Sequence, residues 1–214
     1  MHQPSPTRRG AGRPTREQAE ARFEELLDTA LDLFLMHGFE LTTIEMIASA
    51  MNMTKRTVYA KFDDKAALFQ AAVERAVERQ VVPLKVLEGL DNGDLAETLE
   101  AIALMRIGQM MAPNGLRLQR IISTESYRFP QFFDWNFEHS ARPLMQFVEG
   151  LFDRAIANGQ IAQTDTHLAS SAFMSLVVSG PVRIIVAGRP PKRAELERQV
   201  QYSVNLLLNG LRPR

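Results

Sequence analysis

The stretch from Thr42 to Lys65, TTIEMIASAMNMTKRTVYAKFDDK, leaves few ways to fold. Ile44, Ile47, Ala48 and Met51 recur at i, i+3, i+4 and i+7, the apolar stripe of one short helix. Thr42 or Thr43 stands where that helix needs a cap, and Glu45 lies in its first turn, where the helix dipole favours an acid. Asn52-Met53 forms the turn, because Asn tolerates the left-handed backbone that ends many helices. Thr54 caps a second helix in which only Val58 and Phe62, four apart, face a core. Lys55, Arg56, Thr57, Tyr59 and Lys61 therefore face outward. A helix presenting such groups beyond a tight turn is the arrangement of a helix-turn-helix. An ordinary helical hairpin with a solvated face fits the same spacing.

The flanking residues narrow the choice. Ala30-x3-Phe34-x3-Gly38-Phe39-x2-Thr42-Thr43, then Ile47-Ala48, Asn52-Met53-Thr54-Lys55 and Thr57-Val58-Tyr59-x2-Phe62-x2-Lys65-x2-Leu68, resemble the DNA-binding domain of the TetR family of bacterial transcriptional regulators. Asn52 stands where that family usually has Gly, and Arg56 where a small residue is usual. The segment LQRIISTESYRFPQFFDWNFE resembles the C-terminal domains of TetR members that control efflux. The resemblance implies Lys55, Arg56 and Thr57 as base-contacting residues. It implies Thr43, Tyr59, Lys61 and Lys65 as phosphate-contacting residues, with Thr54 capping the recognition helix and touching phosphate. Lys65 also opens a fourth helix, where a cation opposes the dipole, which suggests a phosphate partner.

The formal net charge is zero, so any DNA footprint is local. Residues 1–16 hold Arg8, Arg9, Arg13 and Arg16 without an acid, and their prolines and glycines oppose a helix. This reads as a disordered basic arm, with Arg13 a candidate DNA contact. A first helix follows from about Thr15 to His37, ended by Gly38, with Phe23, Leu26, Leu27, Ala30, Leu33 and Phe34 as its stripe. The expected domains are the arm at 1–16, a helix-turn-helix domain at 17–82 and a second helical domain at 83–214.

Cysteine is absent, excluding disulfides, thiolate catalysis and Cys-bound metal, in keeping with a reducing cytoplasm. No apolar run approaches the ~20 residues of a membrane span. The four His have neither HExxH spacing nor a Cys partner, and no Gly-rich phosphate loop appears. No catalytic residue, metal site or cofactor is expected.

The second domain reads as helices over about 94–112, 115–128, 130–158, 165–188 and 192–211. Its soft and aromatic side chains suit an adaptable pocket, here Met105, Met110, Phe129, Phe133, Trp135, Phe147, Phe173 and Met174, for an apolar or aromatic effector. Arg106 and Gln109 offer polar contacts. Leu196, Val200, Val204, Leu207 and Leu211 form a stripe on the last helix, and Phe173 and Val177 lie on the stripe of the helix before it. The resemblance implies a homodimer through these two helices, and an internal hairpin is the alternative. The expected molecule is thus an all-α, two-domain regulator that binds double-stranded operator DNA and is released by a small molecule. A helical enzyme would instead need a polar catalytic cluster in the second domain, and a partner-binding module a filled one.

Overall fold

In a computed structural model, residues 15–213 are described, and all regular structure among them is helical. Arg13 and the rest of the expected arm up to residue 14 lie outside the described residues. The chain divides into two compact units inside one helix, between Ala72 and Val73, rather than at Pro83.

The first unit begins with α1 (Arg16–Leu41), opened by a capping box. Gln18 N–H donates to Thr15 Oγ1 at 3.2 Å, and Thr15 N–H donates to Gln18 Oε1 at 3.0 Å. Gly38 breaks the helix with φ 76°, a conformation that side chains resist, and one further turn follows it. Next come α2 (Ile44–Ala50), α3 (Lys55–Tyr59) and α4 (Lys65–Glu78), the last passing into the second unit. Asp64 caps α4 by accepting from Ala67 N–H at 2.7 Å. The core is built on three rings: Phe69 lies 4.6 Å from Phe34 and 5.2 Å from Phe39, centroid to centroid. Leu26, Ile47, Val58 and Leu68 are buried in the same unit.

The second unit holds α5 (Leu84–Glu88), α6 (Leu95–Met111), α7 (Pro113–Glu125), α8 (Pro130–Asn136), α9 (Arg142–Ala157), α10 (Thr166–Phe173), α11 (Gly180–Val186) and α12 (Arg193–Gly210). Asp94 and Asp165 cap α6 and α10 through Glu97 and Leu168 amides. Two π-helical stretches, Phe137–Ala141 and Met174–Ser179, keep α8 continuous with α9 and α10 with α11. Each ends just before a proline, Pro143 or Pro181. Proline lacks an N–H and clashes with the carbonyl four residues back, and a widened turn relieves both. Pro181, which would kink an ordinary helix, is instead preceded by a π stretch inside a run from Thr166 to Val186. That run is 21 residues long and, contrary to the sequence reading, apolar enough to cross a membrane by length and composition. Half of its apolar window is buried in the unit, as befits a core helix.

That burial places most of the expected dimer stripe inside the protomer's own core. Phe173, Val177 and Val204 have no exposure, Val200 has 1 % and Leu196 7 %, all within the unit's own core. Leu207 and Leu211 are partly buried against the same core. The stripe is real, but α6 and the 166–186 run already cover it, since both pack on α12. The outward faces of these helices carry Leu168, Leu176, Ile184, Tyr202 and Leu206 instead, each at least 43 % exposed.

Candidate nucleic-acid interface and effector domain

The turn between α2 and α3 is held by backbone bonds from Asn52 N–H to Ser49 O and from Met53 N–H to Ala48 O, at 3.1 and 2.8 Å. Asn52 has φ 51°, the left-handed value expected of it. Thr43, not Thr42, caps α2 by accepting from Met46 N–H at 3.2 Å. Thr42 is buried and donates to Gly38 O at 2.8 Å, closing the end of α1. Thr54 caps α3 by accepting from Thr57 N–H, and the two hydroxyls lie 2.9 Å apart.

Val58 and Phe62 are buried, while Thr54, Lys55, Arg56, Thr57, Tyr59 and Lys61 are exposed together on and around α3. Among these, Lys55 makes an ion pair with Glu45. The hydrogen bond from Lys55 holds the Glu45 carboxyl below the ordinary carboxylate range. Both partners are half exposed, so exchanging this pair for a base edge costs little. Lys61 lies over the Phe23 ring at 4.8 Å, and that ring stacks on Phe62 at 5.9 Å.

Lys65 is placed differently from expectation. Its ammonium donates to Phe39 O at 2.7 Å and Glu40 O at 3.1 Å, and sits 4.4 Å from the Phe39 ring centre. The cation that opposes its own helix dipole is satisfied by carbonyls at the end of α1. The charge at that position therefore needs no phosphate to explain it. Sequence reasoning passed over Arg22, the only Lys or Arg between Arg16 and Lys55. It is exposed, donates weakly to Met51 O at 3.5 Å, and lines a groove of about 390 Å³ with Phe23, Asn52, Thr54, Thr57 and Lys61.

In the second unit the expected lining is scattered. Phe173 is wholly buried in the core, while Met105, Phe147 and Met174 pack around that core. Phe133 is 54 % exposed and stacks on Phe137, its neighbour Phe132 being the ring that turns inward. Phe129 stacks on Phe132 at 5.1 Å, and Trp135 on His139 at 3.7 Å. Consecutive aromatics on one helix face different ways, which produces this dispersal. A cavity of about 430 Å³ is lined by Met110, Gln119, Ser123, Ser175, Ser179, Gly180, Val182, Arg183 and Val186. Met110 alone of the eight expected residues borders it, and its other walls mix apolar surface from Val182 and Val186 with hydroxyl, amide and guanidinium groups.

A capped turn with cationic and hydroxyl groups outward on α3, ahead of a larger helical unit with its own cavity, is the arrangement of a helix-turn-helix DNA-binding regulator. Residues 26–72 match the model of the bacterial regulatory proteins of the tetR family, and residues 97–210 that of the AefR-like transcriptional repressor C-terminal domain. The chain belongs to the TetR family and is a transcriptional regulator. It is 28 % identical to the "Probable acrEF/envCD operon repressor" of Escherichia coli (strain K12) over 89 residues, 41 % of this chain and 40 % of that relative. Thus the match spans less than half of that repressor's length. An uncharacterized HTH-type transcriptional regulator of Mycobacterium tuberculosis is 25 % identical over 198 residues, 89 % of this chain and 90 % of the relative. A TetR-family regulator of Mesorhizobium loti has a similar structure, with TM-score 0.73 and 25 % identity, covering 94 % of this chain and all of the other.

Proposed function

We propose that this chain is a repressor that binds an inverted-repeat operator as a dimer and is released by a small-molecule effector in its second unit. The reading rests on one observation above others: α3 holds two side chains inward and presents Thr54, Lys55, Arg56, Thr57, Tyr59 and Lys61 outward. Arg56 and Thr57 read base edges, joined by Lys55 once it leaves Glu45. Thr43, Thr54, Tyr59 and Lys61 hold phosphates, with Arg22 beside them. A two-fold protein requires two half-sites one helical turn, or a small multiple of it, apart. The match to an AefR-like repressor domain supports repression, and the likeness of the Leu118–Glu138 segment to efflux-controlling members supports an efflux system as its target. The protein then acts in the cytoplasm, where the operator is.

Arg56→Ala and Thr57→Ala will each change sequence preference at one base pair by about 1–3 kcal/mol. Lys61→Ala will weaken all sequences alike and flatten the salt dependence by about one unit of slope. Anisotropy titrations over an operator library at several salt concentrations separate the two behaviours. Equal weakening of every site by Arg56→Ala would refute its role as a base reader.

Release requires the effector to bind the DNA-competent and the released conformations unequally. The cavity beside Met110 is its place, and the movable element is α5 with the end of α4. A ten-fold loss of operator affinity needs about 1.4 kcal/mol of coupling. A true effector will raise the melting temperature and lower operator affinity over the same concentration range, and operator DNA will weaken its binding by the same factor. A compound that stabilises the protein and leaves operator affinity unchanged is not the effector.

A further inference from the structure

Arg106 is buried without a counter-charge. It sits in mid-α6 at 2 % exposure. Nη1 donates to Gln80 O at 3.0 Å and to Gln109 Oε1 at 3.2 Å, and Nη2 to Ser140 Oγ at 2.7 Å. All three partners are neutral, and Nε, itself buried, has no partner in the protein. Burial alone pushes the guanidinium down to about 10, with no acid beside it to oppose the shift. Buried cations are costly and are ordinarily paired. Arg183, which borders the nearby cavity, is exposed and needs no partner.

The unfilled donor indicates where a charge is missing. With Nη1 held by Gln80 and Gln109, the edge that carries the unpartnered donor is the buried Nε–Nη2 edge, whose parallel donors match the two oxygens of a carboxylate. The Ser140 hydroxyl accepts from Nη2 and keeps its own proton to donate to the same anion. Ser140 belongs to the π stretch before Pro143, and π turns recur at functional sites. Met110, one turn further along the same face of α6, borders the 430 Å³ cavity. Arg106 and Ser140 do not line that cavity, so a ligand lying there must extend about 5 Å, one helical turn, past Met110 to bring an acid to Arg106.

We infer that Arg106, with Ser140, receives the anionic end of an amphipathic effector, an organic monocarboxylate whose apolar body lies in the cavity at Met110. The inference rests on the effector reading above and replaces a wholly apolar ligand with an acid-headed one. The same guanidinium holds Gln80 O just beyond the end of α4, so an anion drawn to its free edge acts directly on the C-terminal end of the helix that α3 precedes.

The test uses the full-length protein and a panel of probes: butyrate, decanoate and 4-phenylbutyrate, each with its primary amide, at constant pH and ionic strength. Melting temperature and the fluorescence of Trp135, the single tryptophan, report binding. At least one acid will bind about ten-fold or more tighter than its amide. Arg106→Gln will remove the preference while amide binding persists, and Arg183→Gln will leave it intact. Ser140→Ala retains the guanidinium and will reduce the preference about three-fold, which keeps the test open if Arg106→Gln does not fold. Acids and amides binding equally, a preference that survives Arg106→Gln or follows Arg183, or a panel in which no acid binds would each overturn the anion site. Amides that bind and lower operator affinity when acids do not would overturn it while upholding the effector reading.

Discussion

Leu206→Glu will give a folded monomer that binds operator at least about a hundred-fold more weakly than the wild type. Single exposed apolar residues are normal, but here five large ones share the outer faces of two packed helices. Leu168, Leu176 and Ile184 recur every eight residues along the 166–186 run, and Tyr202 and Leu206 lie one turn apart on α12. That pattern suits the dimeric habit of the TetR family. Leu206 is 52 % exposed in the protomer, so a glutamate there costs the fold little. Placed in a desolvated interface, the same carboxylate lacks a partner and opposes association. A monomer engages one half-site and loses the linkage that makes the second binding event intramolecular. Sedimentation velocity gives the oligomeric state and anisotropy the operator affinity. The neighbouring Leu207→Glu strikes the protomer's own core and should lower solubility and melting temperature instead. A dimeric Leu206→Glu protein with unchanged operator affinity would place the interface elsewhere.

The contrast between Leu206 and Leu207 shows where sequence reading stops. Periodicity identified the stripe through Leu196, Val200 and Val204 correctly, because 3.6-residue spacing requires a buried face. It could not say what covers that face, since a neighbouring helix and a second chain select the same side chains. The turn was legible for the opposite reason. Asn52, Thr54 and Thr43 act through bonds to residues three or four away, so local sequence contains both partners. The carbonyl partners of Lys65, at Phe39 and Glu40, lie about 25 residues back, which no side-chain pattern records. Arg106 was noticed only as a polar contact, with Gln109, in the expected pocket. Its isolation depends on Gln80 and Ser140, 26 and 34 positions away, and on the absence of an acid among them. Pro143 and Pro181 were visible, but the π stretches that accommodate them needed the surrounding helices to hold the run straight.

Val58→Asp will abolish operator binding, with a loss beyond about a hundred-fold, and will leave the environment of Trp135 in the second unit unchanged. α3 has five residues, far too few for a helix to persist by itself. It is held by the Thr54 cap, the bonds of the turn, and two inward side chains, Val58 and Phe62. Val58 has no exposure, so an aspartate there must be buried without a partner or pull α3 off the core. Either costs several kcal/mol, a large share of the 5–15 kcal/mol that keeps a domain folded. The outward groups of α3 depend on that anchorage for their common orientation, so readers of bases and holders of phosphates are lost together. Val58→Ala provides the graded case: a small cavity costing about 1–2 kcal/mol should lower the melting temperature and weaken binding only modestly. Anisotropy measures the first effect, and the fluorescence of Trp135 reports on the second unit. Operator affinity for Val58→Asp within three-fold of the wild type would mean that α3 does not carry the DNA-reading surface.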